Sequence, residues 1–89
     1  MSDDERLESL RARITEIDRA IFELVNRRLE AVAELKRHKA EHGLPFVDSS
    51  REVAIVEERV AENAGPLSPE GLRSFYASLL ALIKRELET

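Results

Sequence analysis

The chain lacks cysteine, and it contains only three glycines and three prolines in 89 residues. Without cysteine there is neither a disulfide framework nor a thiolate metal site, and nothing favours an oxidising compartment. Charged residues interrupt every apolar stretch, which argues against a membrane span or a signal-peptide core and predicts a cytoplasmic protein. The net charge of −4 has the wrong sign for a typical nucleic-acid binder.

Most of the glycine and proline lies in two clusters, "HGLP" at 42–45 and "AGPLSP" at 64–69, which divide the chain into three segments. Apolar residues recur in each segment at steps of three and four, the spacing of a helix. The first helix is predicted from about Asp4 to His42. The third is predicted to begin at Ser68, an N-cap followed by Pro69. We therefore expect an all-α fold of three helices in a single domain spanning residues 1–89.

The predicted first helix is too long for the rest of the chain to cover. It would be roughly 58 Å long, whereas a compact globule of this chain length has a radius of gyration of only about 12 Å. Its apolar residues form one seam, called here the apolar stripe: Leu7, Leu10, Ile14, Ile17, Ile21 and Leu24. Two shorter helices can shield only part of this seam, so we predict an intertwined helical homodimer.

Arg28 continues the apolar stripe one heptad after Ile21. A buried arginine is costly unless a carboxylate or an anionic ligand neutralises it. Arg28 therefore binds an anionic ligand, or it pairs with an acidic residue of the bundle or reaches solvent. Lys39 follows nearly three turns later, about 16 Å along the axis, so both long side chains could reach one small anion. Cations near a helix C-terminus are also often simply solvated.

Arg11 flanks the same stripe about 26 Å before Arg28, too far for one small ligand to contact both within one chain. In an antiparallel dimer, Arg11 of the partner subunit can approach Arg28. Any site that uses both arginines is therefore shared between two chains; otherwise Arg11 is a surface arginine.

The segment "LPFVDSSREVAIVEERV" at 44–60 combines a helix start with a group of charges. Ser49 with Glu52 fits a capping box, and Asp48 is an alternative N-cap. Neither explains Arg51, since a cation in the first helical turn opposes the helix dipole. Residues 48, 51 and 52 share one face. The segment is predicted to be both a helix cap and half of a binding site.

His38 and His42 have a spacing that can hold a metal ion, but no further ligand pattern accompanies them, so we expect surface histidines and no metal. There is no glycine-rich phosphate loop and no nucleophile–base motif.

The segments "LRARITEIDRAIFELVNRR", "LKRHK" and "PFVDSSRE" follow one another as in a known family. In them the chain resembles the all-helical chorismate mutases of the intertwined-dimer type, and in particular their short intracellular members. The resemblance spans residues 7–52 and is weaker in the last helix. It rests on the joint spacing of Arg11, Asp18, Arg28, Lys39, Asp48, Arg51 and Glu52.

The resemblance implies an isomerase, formally an intramolecular transferase, that converts chorismate to prephenate without a cofactor. This step belongs to the shikimate pathway toward phenylalanine and tyrosine. The substrate carries two carboxylates, an enolpyruvyl ether and a ring hydroxyl, and it reacts in a folded chair. Catalysis then consists of conformational restriction and stabilisation of negative charge on the ether oxygen.

The resemblance also implies roles for individual residues. Arg28 and Arg11 of the partner subunit would bind the carboxylates, as the planar guanidinium fork allows. Lys39 would donate to the ether oxygen and Glu52 would accept from the ring hydroxyl. Further substrate contacts would come from Arg51 and from the backbone around Asp48.

Two substrate-binding positions in the last helix fall on Ile83 and Leu87. The family usually has a small polar residue at the first and Gln or Glu at the second, and neither residue here can donate. A shift by one residue would offer Glu86, against the apolar spacing. The chain resembles short mutases whose own activity is low until they bind a partner, 3-deoxy-arabino-heptulosonate-7-phosphate synthase. This resemblance implies that the synthase repositions the segment around Leu44. The C-terminus that ends at Thr89 is the expected docking element.

Other functions remain open. Enzymes of the same fold act on isochorismate or aminodeoxychorismate, although Glu52 suits a ring hydroxyl. A non-catalytic helical dimer with a regulatory or interaction role is favoured by Ile83 and Leu87, and a helix-turn-helix binder is a third alternative. Binding of the protein to chorismate-like dianions, without binding to nucleic acid, would separate these classes of protein.

Overall fold

The computed structural model describes residues 2–88 and consists of three helices, α1 (Asp3–Glu41), α2 (Ser49–Glu62) and α3 (Pro69–Leu87). The predicted all-α fold with one long and two shorter helices is confirmed. Thr89, the end of the predicted docking element, lies outside the described residues. No helix within residues 2–88 combines the length and apolarity needed to cross a membrane.

The starts of α2 and α3 follow from their capping residues. Ser68 is the N-cap of α3 as predicted, and its Oγ accepts the Gly71 N–H at 3.0 Å. In α2 the N-cap is Asp48, whose Oδ1 accepts the Arg51 N–H at 3.0 Å. The alternative with Ser49 as the N-cap is wrong, because Ser49 is already the first residue of the helix.

The end of α1 is a Schellman turn around Gly43. Gly43 has φ +68°, the left-handed conformation that glycine adopts without steric cost. The Leu44 N–H donates to the Lys39 carbonyl at 2.8 Å, and the Gly43 N–H donates to the Ala40 carbonyl at 3.3 Å. These two bonds satisfy carbonyls that the helix end would leave without partners.

The described residues form two compact units, one ending at Ala31 and the other beginning at Val32. In the first unit the apolar stripe faces solvent, with side chains from 37% exposed at Leu10 to 58% at Ile14. No residue of α1 is buried. The predicted single domain over residues 1–89 remains a prediction.

The second unit has a small core of its own, in which α2 packs against α3. Tyr76 and Ile83, both on α3, are 9% and 2% exposed. Val56, Val60 and Leu72 are half-buried, and Val53 and Phe75 remain exposed. The core places the first turn of α2 beside α3, which positions the charged residues described next.

Candidate active site

The first unit contains the two arginines that the sequence predicts to bind carboxylates. Arg28 is half-buried and Arg11 is exposed. The Arg11 Nη1 atom lies 3.8 Å from Glu8 Oε1, and the two side chains are 67% and 77% exposed. Such exposed pairs contribute little, so the Arg11 guanidinium remains accessible to another anion.

Lys39 is held in place by the turn that ends α1. Its backbone carbonyl accepts the Leu44 N–H, and its Nζ donates to the Phe46 carbonyl at 3.2 Å. The Lys39 ammonium has three N–H donors, and this hydrogen bond uses one of them. Because the Phe46 carbonyl is neutral, the contact does not neutralise the positive charge of Lys39. The half-buried Lys39 can therefore offer positive charge to a ligand that approaches this turn.

Asp48, Arg51 and Glu52 share the first turn of α2, as predicted. The Asp48 carboxylate is used as the helix cap, and its carbonyl accepts the Glu52 N–H at 3.0 Å. The Arg51 side chain is exposed, whereas Glu52 is half-buried. One cation and one partly shielded carboxylate are thus left beside a helix N-terminus, which itself favours anions.

The Glu52 carboxylate forms an ion pair with Lys84 of α3. The Lys84 Nζ lies 2.6 Å from Glu52 Oε1, and the side chains are 36% and 29% exposed. Lys84 is not one of the site residues that the sequence predicts, because the resemblance points only to Ile83 and Leu87 on this helix. No local motif marks Lys84. Only the packing of α2 against α3 reveals that α3 supplies a cation to a predicted site residue.

The two apolar positions predicted in α3 have different surroundings. Ile83 is 2% exposed, so its side chain has little surface for a ligand. Leu87 is half-buried, and its carbonyl accepts a hydrogen bond from Lys36 Nζ. That ammonium also lies 5.3 Å from the centre of the Phe46 ring. Substrate contacts by Ile83 and Leu87 remain predictions. An open groove adjoins Leu87, lined also by Ala33, Lys36, Arg37 and Ala40.

A second α2–α3 ion pair lies outside the predicted site residues. Arg73 donates to both carboxylate oxygens of Glu57, at 3.0 and 3.1 Å. The hydrogen bond from Arg73 holds the pKa of Glu57 below its ordinary value of 4.5. The Arg73 and Glu57 side chains are 43% and 57% exposed. This pair joins the same two helices as the Lys84–Glu52 pair and is therefore a natural control for it.

The two histidines lie near each other at the end of α1. Their ring centres are 4.3 Å apart, and His42 Nδ1 is 2.9 Å from the His38 carbonyl, to which it can donate. With Glu41 they place possible metal ligand atoms within 4.8 Å of one another. All three side chains are exposed, an arrangement that is common without a metal ion and does not by itself make a metal site.

Two characterised proteins are similar to the chain in sequence. The chain is 40% identical over 67 residues to the T-protein of Haemophilus influenzae, a match that covers 73% of the chain but only 18% of the T-protein. It is 31% identical over 88 residues to the 4-amino-4-deoxychorismate mutase of Streptomyces venezuelae, covering 98% of the chain and 82% of that protein.

Solved structures are similar along most of their length. Form I of the chorismate mutase of Thermus thermophilus superposes with a TM-score of 0.84 at 31% identity, covering 88% of this chain and 98% of that one. Form II superposes with a TM-score of 0.85 at 30% identity, covering 90% of this chain and 91% of that one. The family model of chorismate mutase type II matches residues 10–88. The predicted family is confirmed: the chain belongs to the type II chorismate mutases.

Proposed function

We propose that the protein is a chorismate mutase, an isomerase that converts chorismate to prephenate. The observation that carries the proposal is the family match over residues 10–88, which includes every predicted site residue from Arg11 to Leu87. The reaction is unimolecular. The bond between the ether oxygen and the ring breaks as a carbon–carbon bond forms, so no group enters or leaves and no cofactor is needed.

The proposed work of the site is to fold a dianion and to stabilise charge on its ether oxygen. Arg28 and Arg11 of the partner subunit bind the two carboxylates, and Arg51 adds positive charge beside the start of α2. Lys39 donates to the ether oxygen as the bond breaks. In the free protein its ammonium binds the Phe46 carbonyl, a neutral partner that a more negative oxygen can displace.

The proposed partner of the substrate ring is Glu52, with the backbone around Asp48. The Glu52 carboxylate accepts a hydrogen bond from the ring hydroxyl and so orients the ring relative to the ether oxygen. Ile83 and Leu87 supply no donor to the ether oxygen, which leaves Lys39 as its proposed donor. Each such donor typically contributes about 2.7–4 kcal/mol of barrier stabilisation, so the isolated enzyme is expected to be slow.

The proposed active assembly is an intertwined homodimer with sites shared between chains. The apolar stripe supports it, because its large apolar side chains are 37–58% exposed along one helix face. A contiguous apolar surface of this kind marks an interface. A second copy of the same helix presents the matching surface and brings Arg11 of the partner subunit.

A related substrate, 4-amino-4-deoxychorismate, is the second candidate. The relative from Streptomyces venezuelae that is named 4-amino-4-deoxychorismate mutase matches 98% of the chain. In 4-amino-4-deoxychorismate an amino group replaces the ring hydroxyl of chorismate. The two candidate substrates therefore differ only at the group that Glu52 would contact. Both substrates need to be tested with the same preparation.

The deciding assay mixes purified full-length protein with chorismate, follows its ultraviolet absorption and identifies the product. We expect prephenate, with the rate lowered about 10²–10³-fold in Lys39→Met. Folded protein that leaves chorismate unchanged, or that converts the amino compound alone, would refute chorismate mutase activity. Fractionation of the source cells would test the expected cytoplasmic location.

Activation by a partner enzyme is the last element of the proposal, and the partner is 3-deoxy-arabino-heptulosonate-7-phosphate synthase. It can raise turnover only if it binds the competent arrangement of residues 44–52 more tightly than the free arrangement. Steady-state assays with and without the synthase from the same source test this. Equal turnover in both assays, or fast turnover without the synthase, would refute activation and mean that Ile83 and Leu87 are tolerated because other groups serve the ether oxygen.

A further inference from the structure

The ion pair between Lys84 and Glu52 bears on which ring substituent the enzyme accepts. The proposed contacts of that substituent are Glu52 and the backbone around Asp48. The Asp48 carboxylate caps α2, so Glu52 provides the carboxylate that can bind the substituent. One of its oxygens, Oε1, already receives the Lys84 ammonium at 2.6 Å. The other oxygen can still accept a hydrogen bond.

Lys84 changes what that second oxygen can bind. A carboxylate that is already neutralised by a lysine suits a neutral donor, such as a hydroxyl. A lone carboxylate would instead attract a second cation, and an aliphatic amine is protonated at neutral pH. Beside the Glu52–Lys84 pair, a ligand ammonium is attracted by the Glu52 carboxylate but repelled by the Lys84 ammonium. This repulsion disfavours binding of a charged amine.

We propose that Lys84 is a specificity-determining residue, which biases the site toward the ring hydroxyl of chorismate and against a ring ammonium. The inference rests on the proposed function and on the role of Glu52 within it. Lys84 acts through Glu52 and is a positioning residue. It also keeps Glu52 from adding an uncompensated negative charge beside a dianionic substrate.

The partial exposure of the pair fits this role. The Lys84 and Glu52 side chains are 36% and 29% exposed, so a ligand can reach them while α2 and α3 still limit their movement. The Arg73–Glu57 pair is more exposed, at 43% and 57%, and lies outside the proposed contacts. If both pairs served only to hold α2 on α3, their removal would have the same consequences.

The test measures kcat/KM for chorismate and for 4-amino-4-deoxychorismate with the full-length protein. In Lys84→Met we expect the amino-to-hydroxy ratio to rise about tenfold, a modest value because solvent partly screens the pair. Lys84→Arg should keep the wild-type ratio. Lys84→Gln, which removes the charge but retains a polar group, should shift the ratio in the same direction as Lys84→Met.

Two further variants separate specificity from folding. Arg73→Met breaks the control pair and should leave the ratio unchanged, even if it lowers the melting temperature as much as Lys84→Met does. In a Glu52→Gln background, Lys84→Met should no longer change the ratio, because the residue through which Lys84 acts is gone.

The outcomes distinguish the two levels of the proposal. A wild-type enzyme that converts chorismate, with the same ratio in folded Lys84→Met and Lys84→Gln, overturns the role of Lys84 and leaves the proposed function standing. An equal shift in Arg73→Met overturns it as well. A wild-type protein that converts neither compound overturns the proposed function and this inference with it.

Discussion

The apolar stripe in the first unit and the core of the second unit consist of similar residues at the same helical spacing, yet they differ in burial. Ile17 in the stripe is 50% exposed, whereas Ile83 in the core is 2% exposed. The second unit buries Ile83 because α2 and α3 pack against each other. Helical spacing therefore identifies an apolar face that has to be buried. Whether another helix of the same chain buries it depends on how the helices pack.

The comparison predicts that a charge on the apolar stripe has the largest effect. Ile17→Asp would place an unpaired carboxylate in the proposed dimer interface, at a cost of about 3–5 kcal/mol. We expect a monomer without activity, measured by analytical ultracentrifugation and the chorismate assay. The matched control is Ala12→Asp, on the opposite face of α1, which should remain an active dimer. A stable Ile17→Asp dimer would place the interface elsewhere.

Arg28→Ala should affect chemistry more than folding. Loss of one transition-state contact typically lowers the rate about 10²–10³-fold. Alanine is the best helix former, so α1 should persist, as circular dichroism would show. Full activity in the folded variant would contradict the assignment of Arg28 and identify it as a structural residue.

Mixing two inactive variants tests whether the sites are shared. In a heterodimer of Arg11→Ala and Arg28→Ala chains, one site contains both mutations and the other contains neither. Random exchange should therefore restore about a quarter of wild-type activity. Subunit exchange is verified by mass spectrometry of differently tagged chains. A fully exchanged mixture that is no more active than its parents would rule out shared sites.

The turn after α1 should respond to mutation independently of the dimer. Gly43→Ala forces alanine into a left-handed conformation, which costs about 1–2 kcal/mol, although no atom lies within 4 Å of the added methyl group. Urea unfolding should show this loss equally at low and high protein concentration. Asparagine tolerates the conformation better, so Gly43→Asn should lose less. Equal losses in both variants would point to a cause other than backbone strain.

The smallest effect is expected from acid on the Arg73–Glu57 pair. Because the pKa of Glu57 is lower in the folded chain, the pair stabilises the fold above pH 4.5. That contribution is lost as the pH falls through the lowered pKa. Glu57→Gln should remove this part of the pH dependence of thermal stability and leave the neutral-pH activity unchanged. An identical acid profile in the variant would mean that the pair contributes nothing.

The sequence was sufficient for the features that depend on near neighbours in the chain. Glycine and proline separated the three helices, and Ser68 with Pro69 marked the start of α3, since caps act within one turn. The choice between Asp48 and Ser49 stayed open, because both side chains can cap. The structure resolved it through one hydrogen bond, from the Arg51 N–H to Asp48.

The sequence by itself determined three amphipathic helices, the family, and a set of charged candidates from Arg11 to Glu52. The tertiary structure decided which cations meet which carboxylates: Lys84 with Glu52, and Arg73 with Glu57. These partners lie on different helices, and helical periodicity states which face a residue occupies but not which residue faces it. For that reason Lys84 could be found only after α2 and α3 were packed together.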